Sequence, residues 1–447
     1  MHRLDLLAMN IKKKLLLGFV WRMLFSLSLF ILNIAFARYF GAVESGKVYF
    51  ITTTLSLYII FSSVNIETGI GFYAAAKKVN FTTSLFAGLL FTVISVMILL
   101  ILQYFPVSRD YFSDKGWEWY YSVFYVTGNL LVSIFCALFY AYNNYVWPNV
   151  VLACCMLILA AFFLINNQYQ LYTREESLVV YFSFFIVQAL ILILGFFHKQ
   201  VKTIKLNTSI INKRHLKSIM RYSLIALISN VVFFLLYRMD YWLVEYYTSG
   251  SELGNYIQAS RFGQALLIAP SIFSAIIIPR IADKSIKRFD KPAAFAFVIL
   301  AFIFLFFLIF LLFMGPAFFK MLLGEDYIHM YWPSVIKIPA ILFLSLSFIL
   351  GAWFAGINKV IYNIYSTVVG VIVIIVSDFL LIPVYGIIGA AVASLLAYLA
   401  VLITSVYLYN SKTNQRFADL LRFCKNILKN RRAYAKELWA NLKLTNY

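Results

Sequence analysis

The chain has 447 residues, 63% of them hydrophobic and only 13% charged, with a net charge of +20 and a mean hydropathy of +0.85. Soluble domains are about half apolar and a quarter charged, so this composition excludes them. Long continuous apolar runs, in place of short alternating segments, exclude a transmembrane barrel and leave an all-α polytopic membrane protein. The excess charge does not point to nucleic acid, because most Lys and Arg fall in a few loops and tails.

Twelve transmembrane helices are predicted in chain order. They are Leu15–Phe36, Val48–Ile66, Leu85–Phe105, Ser122–Tyr142, Val146–Ile165, Leu178–Phe197, Ile219–Glu245, Leu253–Ile278, Ala293–Met314, Ser334–Phe354, Tyr362–Pro383 and Ile387–Leu408. Each is near the 20 or so residues a bilayer crossing requires. The first apolar segment is too long for a cleavable signal peptide and lacks a small-residue cleavage site. Cys136, Cys154, Cys155 and Cys424, with four scattered histidines, show neither metal-ligand nor catalytic spacing.

Lys and Arg in the connections set the orientation. With the N-terminus inside, 28 of the 38 basic residues fall in cytoplasmic segments and seven outside. The seven are Arg38, Lys47, Arg109, Lys115, Arg174, Lys320 and Lys337. Both termini are therefore expected in the cytoplasm. The resulting organisation is a basic N-terminus (1–14), a six-helix bundle (15–197), a basic cytoplasmic linker (198–218), a second six-helix bundle (219–410) and a basic tail (411–447). In the tail, Phe417, Leu420, Leu421, Cys424 and Leu428 share one helical face, a pattern suited to an anionic membrane surface or to simple positive-inside anchoring.

The two halves echo each other. Gly41 to Tyr49 opens the second span with Gly, Glu44-x-Gly46 and Tyr; Gly250 to Tyr256 opens the eighth with Gly, Glu252-x-Gly254 and Tyr. An even number of spans separates them, so the halves run parallel about an axis along the membrane normal, a transporter layout.

Several polar groups stand inside the spans. Arg22 lies eight residues past Lys14, roughly 12 Å deep. A lone arginine there costs at least about 2.5 kcal/mol, so it must face protein, water or an anion. Ser26 and Asn33 fall near its face of the helix. Arg261 lies on the eighth span with Gln258 and Gln264 beside it, and Arg238, Asp240 and Asp378 lie toward the outer side. Intramembrane charges usually pair, so Arg238 with either aspartate is one expectation. The other is that Asp240 or Asp378 couples transport to a proton or a sodium ion. Glu67 reads as a polar edge residue of the lumen or as the partner of a basic loop.

Four stretches together resemble the Wzx-type flippases of lipid-linked oligosaccharides. They are Ala37-Arg38-Tyr39-Phe40-Gly41 with Glu44-x-Gly46, Arg238-Met239-Asp240 followed by Gly254-Asn255-Tyr256, Pro279-Arg280, and Leu381 to Ala391, which reads LIPVYGIIGAA. These flippases form the polysaccharide transport branch of the multidrug/oligosaccharidyl-lipid/polysaccharide (MOP) superfamily, which also holds the multidrug and toxin extrusion (MATE) antiporters and the lipid II flippase. The resemblance implies a MATE-like, V-shaped transporter with alternating access around a cationic cavity. It implies no enzymatic activity and no cofactor beyond the coupling ion. The substrate implied is an undecaprenyl-diphosphate-linked oligosaccharide, exported across the inner membrane for O-antigen, capsule or exopolysaccharide assembly. Membrane lipids, a polysaccharide polymerase and a chain-length regulator are the implied partners. Arg22 and Arg261, on the helices thought to grip diphosphate in the lipid II flippase, would bind the substrate, with Arg38 and Arg238 in support. A guanidinium fork suits a pyrophosphate better than a lysine does.

Two rivals are weaker. A multidrug antiporter takes cations and typically carries an acid on the first span, where this chain has Arg22. A membrane polysaccharide-processing enzyme needs large outer loops or an acid or histidine cluster, which the sequence lacks.

Overall fold

The computed structural model describes residues 2–76, 78–104, 119–200, 213–282, 289–413 and 416–429. Lys77, Arg109, Lys115, the linker positions around Lys202, the loop around Lys287 and the tail beyond residue 429 lie outside them. The helices are α1 His2–Ser62, α2 Ile66–Ala75, α3 Phe81–Tyr104, α4 Trp119–Ala141, α5 Trp147–Tyr169, α6 Arg174–Gln200, α7 Lys213–Tyr247, α8 Gly250–Ala265, α9 Ile268–Ala282, α10 Asp290–Met314, α11 Ala317–Leu323, α12 Tyr331–Gly356, α13 Ile361–Lys412 and α14 Phe417–Lys429. A 3-10 segment, Glu325–Met330, precedes α12.

Ten helices among the described residues are long and apolar enough to cross a membrane. Two of them, in α1 and α13, are interrupted by a glycine. Gly41 has φ 75°, ψ 177° and Gly386 has φ 55°, ψ −136°. Both lie in backbone regions that side chains other than hydrogen resist. At both positions the chain doubles back. A straight helix would separate Phe36 from Tyr49 by about 20 Å, yet their ring centroids are 5.1 Å apart. Likewise a Cβ on Gly389 would strike the carbonyl oxygen of Leu381, which a straight helix would place about 12 Å away. These two glycines, one in each of two family-like stretches, are thus turn residues. Gly386→Val should cost roughly 1–3 kcal/mol of backbone strain. Thermal unfolding of the purified protein checks this, and an unchanged midpoint would show that the turn tolerates a side chain.

The chain divides into two compact units, residues 1–234 with 322–324 and residues 235–321 with 325–447, the division falling inside α7. Unit one is built on aromatic and aliphatic side chains of α2 to α6. Ile66, Ile70, Phe91, Phe135, Phe139 and Phe196 are buried together. Phe81 and Phe196 stack at 5.5 Å with an 11° interplanar angle. α4 meets α6 at Gly128, where any Cβ would sit 2.6 Å from the Phe185 carbonyl carbon. Small residues allow such close approach where lipid supplies no hydrophobic drive between helices.

The stretch Ala37–Gly41 is anchored by polar contacts. The Tyr39 hydroxyl donates to the Tyr172 carbonyl at 3.1 Å and accepts from Ser177 at 3.0 Å. Glu44 of the first echo pairs with Arg174 at 2.6 Å. Both partners are well exposed, so this pair is worth less than about 1 kcal/mol.

In unit two, α12 packs along α13 and also touches α8, α9 and α10. The second echo is explained residue by residue. Ser249 and Glu252 form a capping box at the start of α8. Asn255 donates to the Asp326 carbonyl at 2.9 Å, tying the 3-10 segment down. Tyr256 points into the interior and reaches Asp240.

The tail helix α14 lies on α10. Leu420 and Ile427 are buried, Phe417 meets Phe297 at 6.1 Å, and the Cys424 thiol lies 3.7 Å from the Ala294 carbonyl. Burial pushes that thiol up to about 11, so it stays protonated at neutral pH and is a poor nucleophile. Leu421 and Leu428 remain exposed beside the protein-facing stripe. The apolar face read from the sequence is therefore shared between α10 and the surroundings.

Candidate functional site

A cluster of buried polar and charged side chains in unit two is gathered from four helices. α7 supplies Asp240, α8 Tyr256, α12 Lys337, and α13 Asp378 and Ser394. Asp240, Lys337, Tyr256, Asp378 and Ser394 are all buried, Asp378 completely. The Lys337 Nζ lies 3.5 Å from Asp240 Oδ2 and 3.2 Å from Ser394 Oγ. It also sits over the Tyr256 ring, 4.3 Å from the centroid. The Tyr256 hydroxyl donates to Asp240 Oδ2, and Ser394 Oγ lies 3.4 Å from the same oxygen. Asp378 stands within electrostatic reach of both Asp240 and Lys337. Neither Asp378 oxygen, nor Asp240 Oδ1, has a hydrogen-bond partner. Buried polar atoms left unpaired are few in native proteins, and each calls for a reason.

Arg238 does not join this cluster. It is two residues from Asp240, which places it about 200° around the helix. Its guanidinium donates to Gln264 Oε1 at 2.8 Å and to the Tyr241 hydroxyl. It also lies 4.9 Å from the Tyr241 ring centroid. The Arg238–aspartate pair expected from the sequence is thus replaced by Lys337–Asp240. Lys337 itself corrects the charge count. The sequence places it in an outer connection, but it is 3% exposed inside α12, and the inside excess of basic residues grows slightly.

The remaining sequence-derived residues are distributed over both units. In unit two, Arg261 is half-buried on α8 near Tyr241, and Gln258 is buried with its amide nitrogen unpaired. In unit one, Arg22 is exposed and interacts with Tyr140 and Cys136 of α4. Ser26 donates back to the Arg22 carbonyl at 3.1 Å. Asn33 is half-buried and Arg38 exposed. Glu67, in the first turn of α2, has one carboxylate oxygen buried without a hydrogen bond. Lys337 is the residue that sequence reading missed. The available signal was its place between Val335-Ile336 and Ile338, inside a continuous apolar run.

This arrangement of helices is shared with solved transporters. The lipid II flippase MurJ, in an inward closed conformation, superposes with a TM-score of 0.67 at 16% identity, covering 92% of this chain and 90% of that one. The fold is the one these solved transporters share. An inward-facing multidrug resistance MATE family transporter of the MOP superfamily matches with a TM-score of 0.60 at 13% identity, over 86% of this chain and 93% of the other. A MOP superfamily transporter from Pyrococcus furiosus, described as having a binding pocket of reverse polarity, matches at 0.55 and 12% identity over 94% and 97%. The family model for polysaccharide biosynthesis proteins matches residues 182–331, from within α6 to the start of α12. A search of curated sequences returned no match. The solved structures this chain resembles are a flippase and transporters.

Proposed function

We propose that this chain is a flippase for undecaprenyl-diphosphate-linked oligosaccharide repeat units. It carries them from the cytoplasmic to the periplasmic leaflet of a bacterial inner membrane, for O-antigen, capsule or exopolysaccharide assembly. The observation that carries the proposal is Arg22. In the MOP fold the first span of this chain bears a fixed positive charge, which suits an anionic diphosphate and repels cationic drugs. The polysaccharide biosynthesis match over residues 182–331 supports the same substrate class. Arg22 and Arg261 bind the diphosphate, Arg38 and Arg238 assist, and Ser26, Asn33, Gln258 and Gln264 line the path. The two halves alternate access to the two leaflets. Asp240 and Asp378 couple the cycle to an ion, and Glu67 lies at the edge of the path. A polymerase and a chain-length regulator receive the product.

The direct test is genetic. Deleting the gene should stop surface polysaccharide and leave the lipid-linked repeat unit accumulated on the cytoplasmic leaflet. Normal surface polysaccharide in the deletion strain would overturn the proposal. Orientation has its own test. Single cysteines placed at Lys202 and Lys287 should resist a membrane-impermeant maleimide in intact cells, and labelling at either site would reverse the topology.

A further inference from the structure

One buried lysine in unit two pairs with the Asp240 carboxylate, and a second buried carboxylate, Asp378, stands within electrostatic reach of both. Lys337 Nζ is held by Asp240 Oδ2 at 3.5 Å, by Ser394 Oγ at 3.2 Å and by the Tyr256 ring face at 4.3 Å. We propose that Lys337 is a resident cation, whose ammonium fills the place a sodium ion would take beside Asp240 and Asp378, so that removing the lysine opens an alkali-cation site.

The donor set carries the inference. Hard cations take oxygen ligands. Asp240 Oδ1 and both Asp378 oxygens are buried and carry no hydrogen bond, and the hydroxyls of Ser394 and Tyr256 face the same carboxylate. No group of three or more His, Cys, Asp or Glu capable of holding a metal occurs among the described residues, so a divalent ion is poorly served. A sodium ion beside Asp240 would lie within a few ångströms of the ammonium, where like charges in a buried setting exclude one another. The lysine also keeps its charge on a flexible four-carbon stem, so the cation is tethered yet able to move. The inference rests on the coupling role proposed for Asp240 and Asp378 and narrows it. Sodium is excluded, and a proton is left as the mobile charge.

The test reads ion binding, not export, so its failure is separate from failure of the flippase proposal. Purified full-length protein is melted in sodium chloride and in N-methyl-D-glucamine chloride at equal ionic strength, and 22Na+ retention is measured alongside. Wild type should show the same midpoint in both salts and retain no 22Na+. Lys337→Ala and Lys337→Gln should bind sodium and rise by about 2–4 °C in its presence. Adding Asp378→Asn should erase that rise. A variant that folds only when extracted in sodium supports the proposal equally. Sodium bound by wild type and lost in Asp240→Asn would overturn it. So would Lys337 variants that ignore sodium, or that stay unfolded in both salts.

Discussion

Replacing Arg22 or Arg261 with alanine should abolish export while leaving the protein in the membrane at its normal level. Removing one partner of a buried, hydrogen-bonded charge pair costs roughly 2–5 kcal/mol, which is about 30-fold to several thousand-fold in affinity. Arg22 is exposed on unit one, and its neighbour Tyr140 also donates to Asn149, so losing the arginine should disturb packing little. Arg261 is half-buried near Tyr241, so its alanine variant should be a little less stable as well. Lysine at either position keeps the charge but loses the planar fork, and partial export is expected. Quantifying surface polysaccharide against membrane-inserted protein separates these cases. Full export by both alanine variants would remove the cationic grip from the mechanism.

Lys337→Met should cost about 3–5 kcal/mol in sodium-free buffer, because it leaves the Asp240 carboxylate buried and uncompensated. The double variant Asp240→Asn/Lys337→Met should regain most of that loss, since a neutral amide beside a thioether needs no counter-charge. A buried ion pair need not stabilise relative to apolar residues of similar size, so the double variant is expected close to wild type. The comparison is a double-mutant cycle on thermal unfolding of the purified protein. Additive losses would mean that the 3.5 Å pair carries no coupling energy, and that Lys337 is held by Ser394 and Tyr256 instead.

The sequence shows the spans because hydrocarbon imposes a continuous apolar length that is visible without any contact. It also shows Gly41 and Gly386, since tight turns between apolar runs draw glycine. Asp240 and Asp378 stand out as acids where acids are costly. What stays hidden is partnership. Lys337 sits near a predicted helix start, where a lysine normally reaches solvent, and counting loop charges registers chain position and not side-chain direction. Its partner Asp240 is almost a hundred residues away, and only the packing of α7 against α12 and α13 brings them together. The choice of Lys337 over Arg238 follows from helix phase. Two residues of offset turn Arg238 away from Asp240 and toward Gln264. The amphipathic tail shows the same limit. Its period is plain in the sequence, but that α10 covers part of its apolar face depends on tertiary structure.

The most direct test of the central claim is translocation by the purified protein. Undecaprenyl-diphosphate carrying a fluorescent oligosaccharide is placed in proteoliposomes, and the label in the outer leaflet is quenched or enzymatically cleaved over time. Wild-type vesicles should expose the inner-leaflet pool well beyond protein-free vesicles, and Arg22→Ala vesicles should match the protein-free control. Equal exposure with wild type, Arg22→Ala and no protein, together with uptake of a cationic dye by wild type alone, would contradict the flippase assignment.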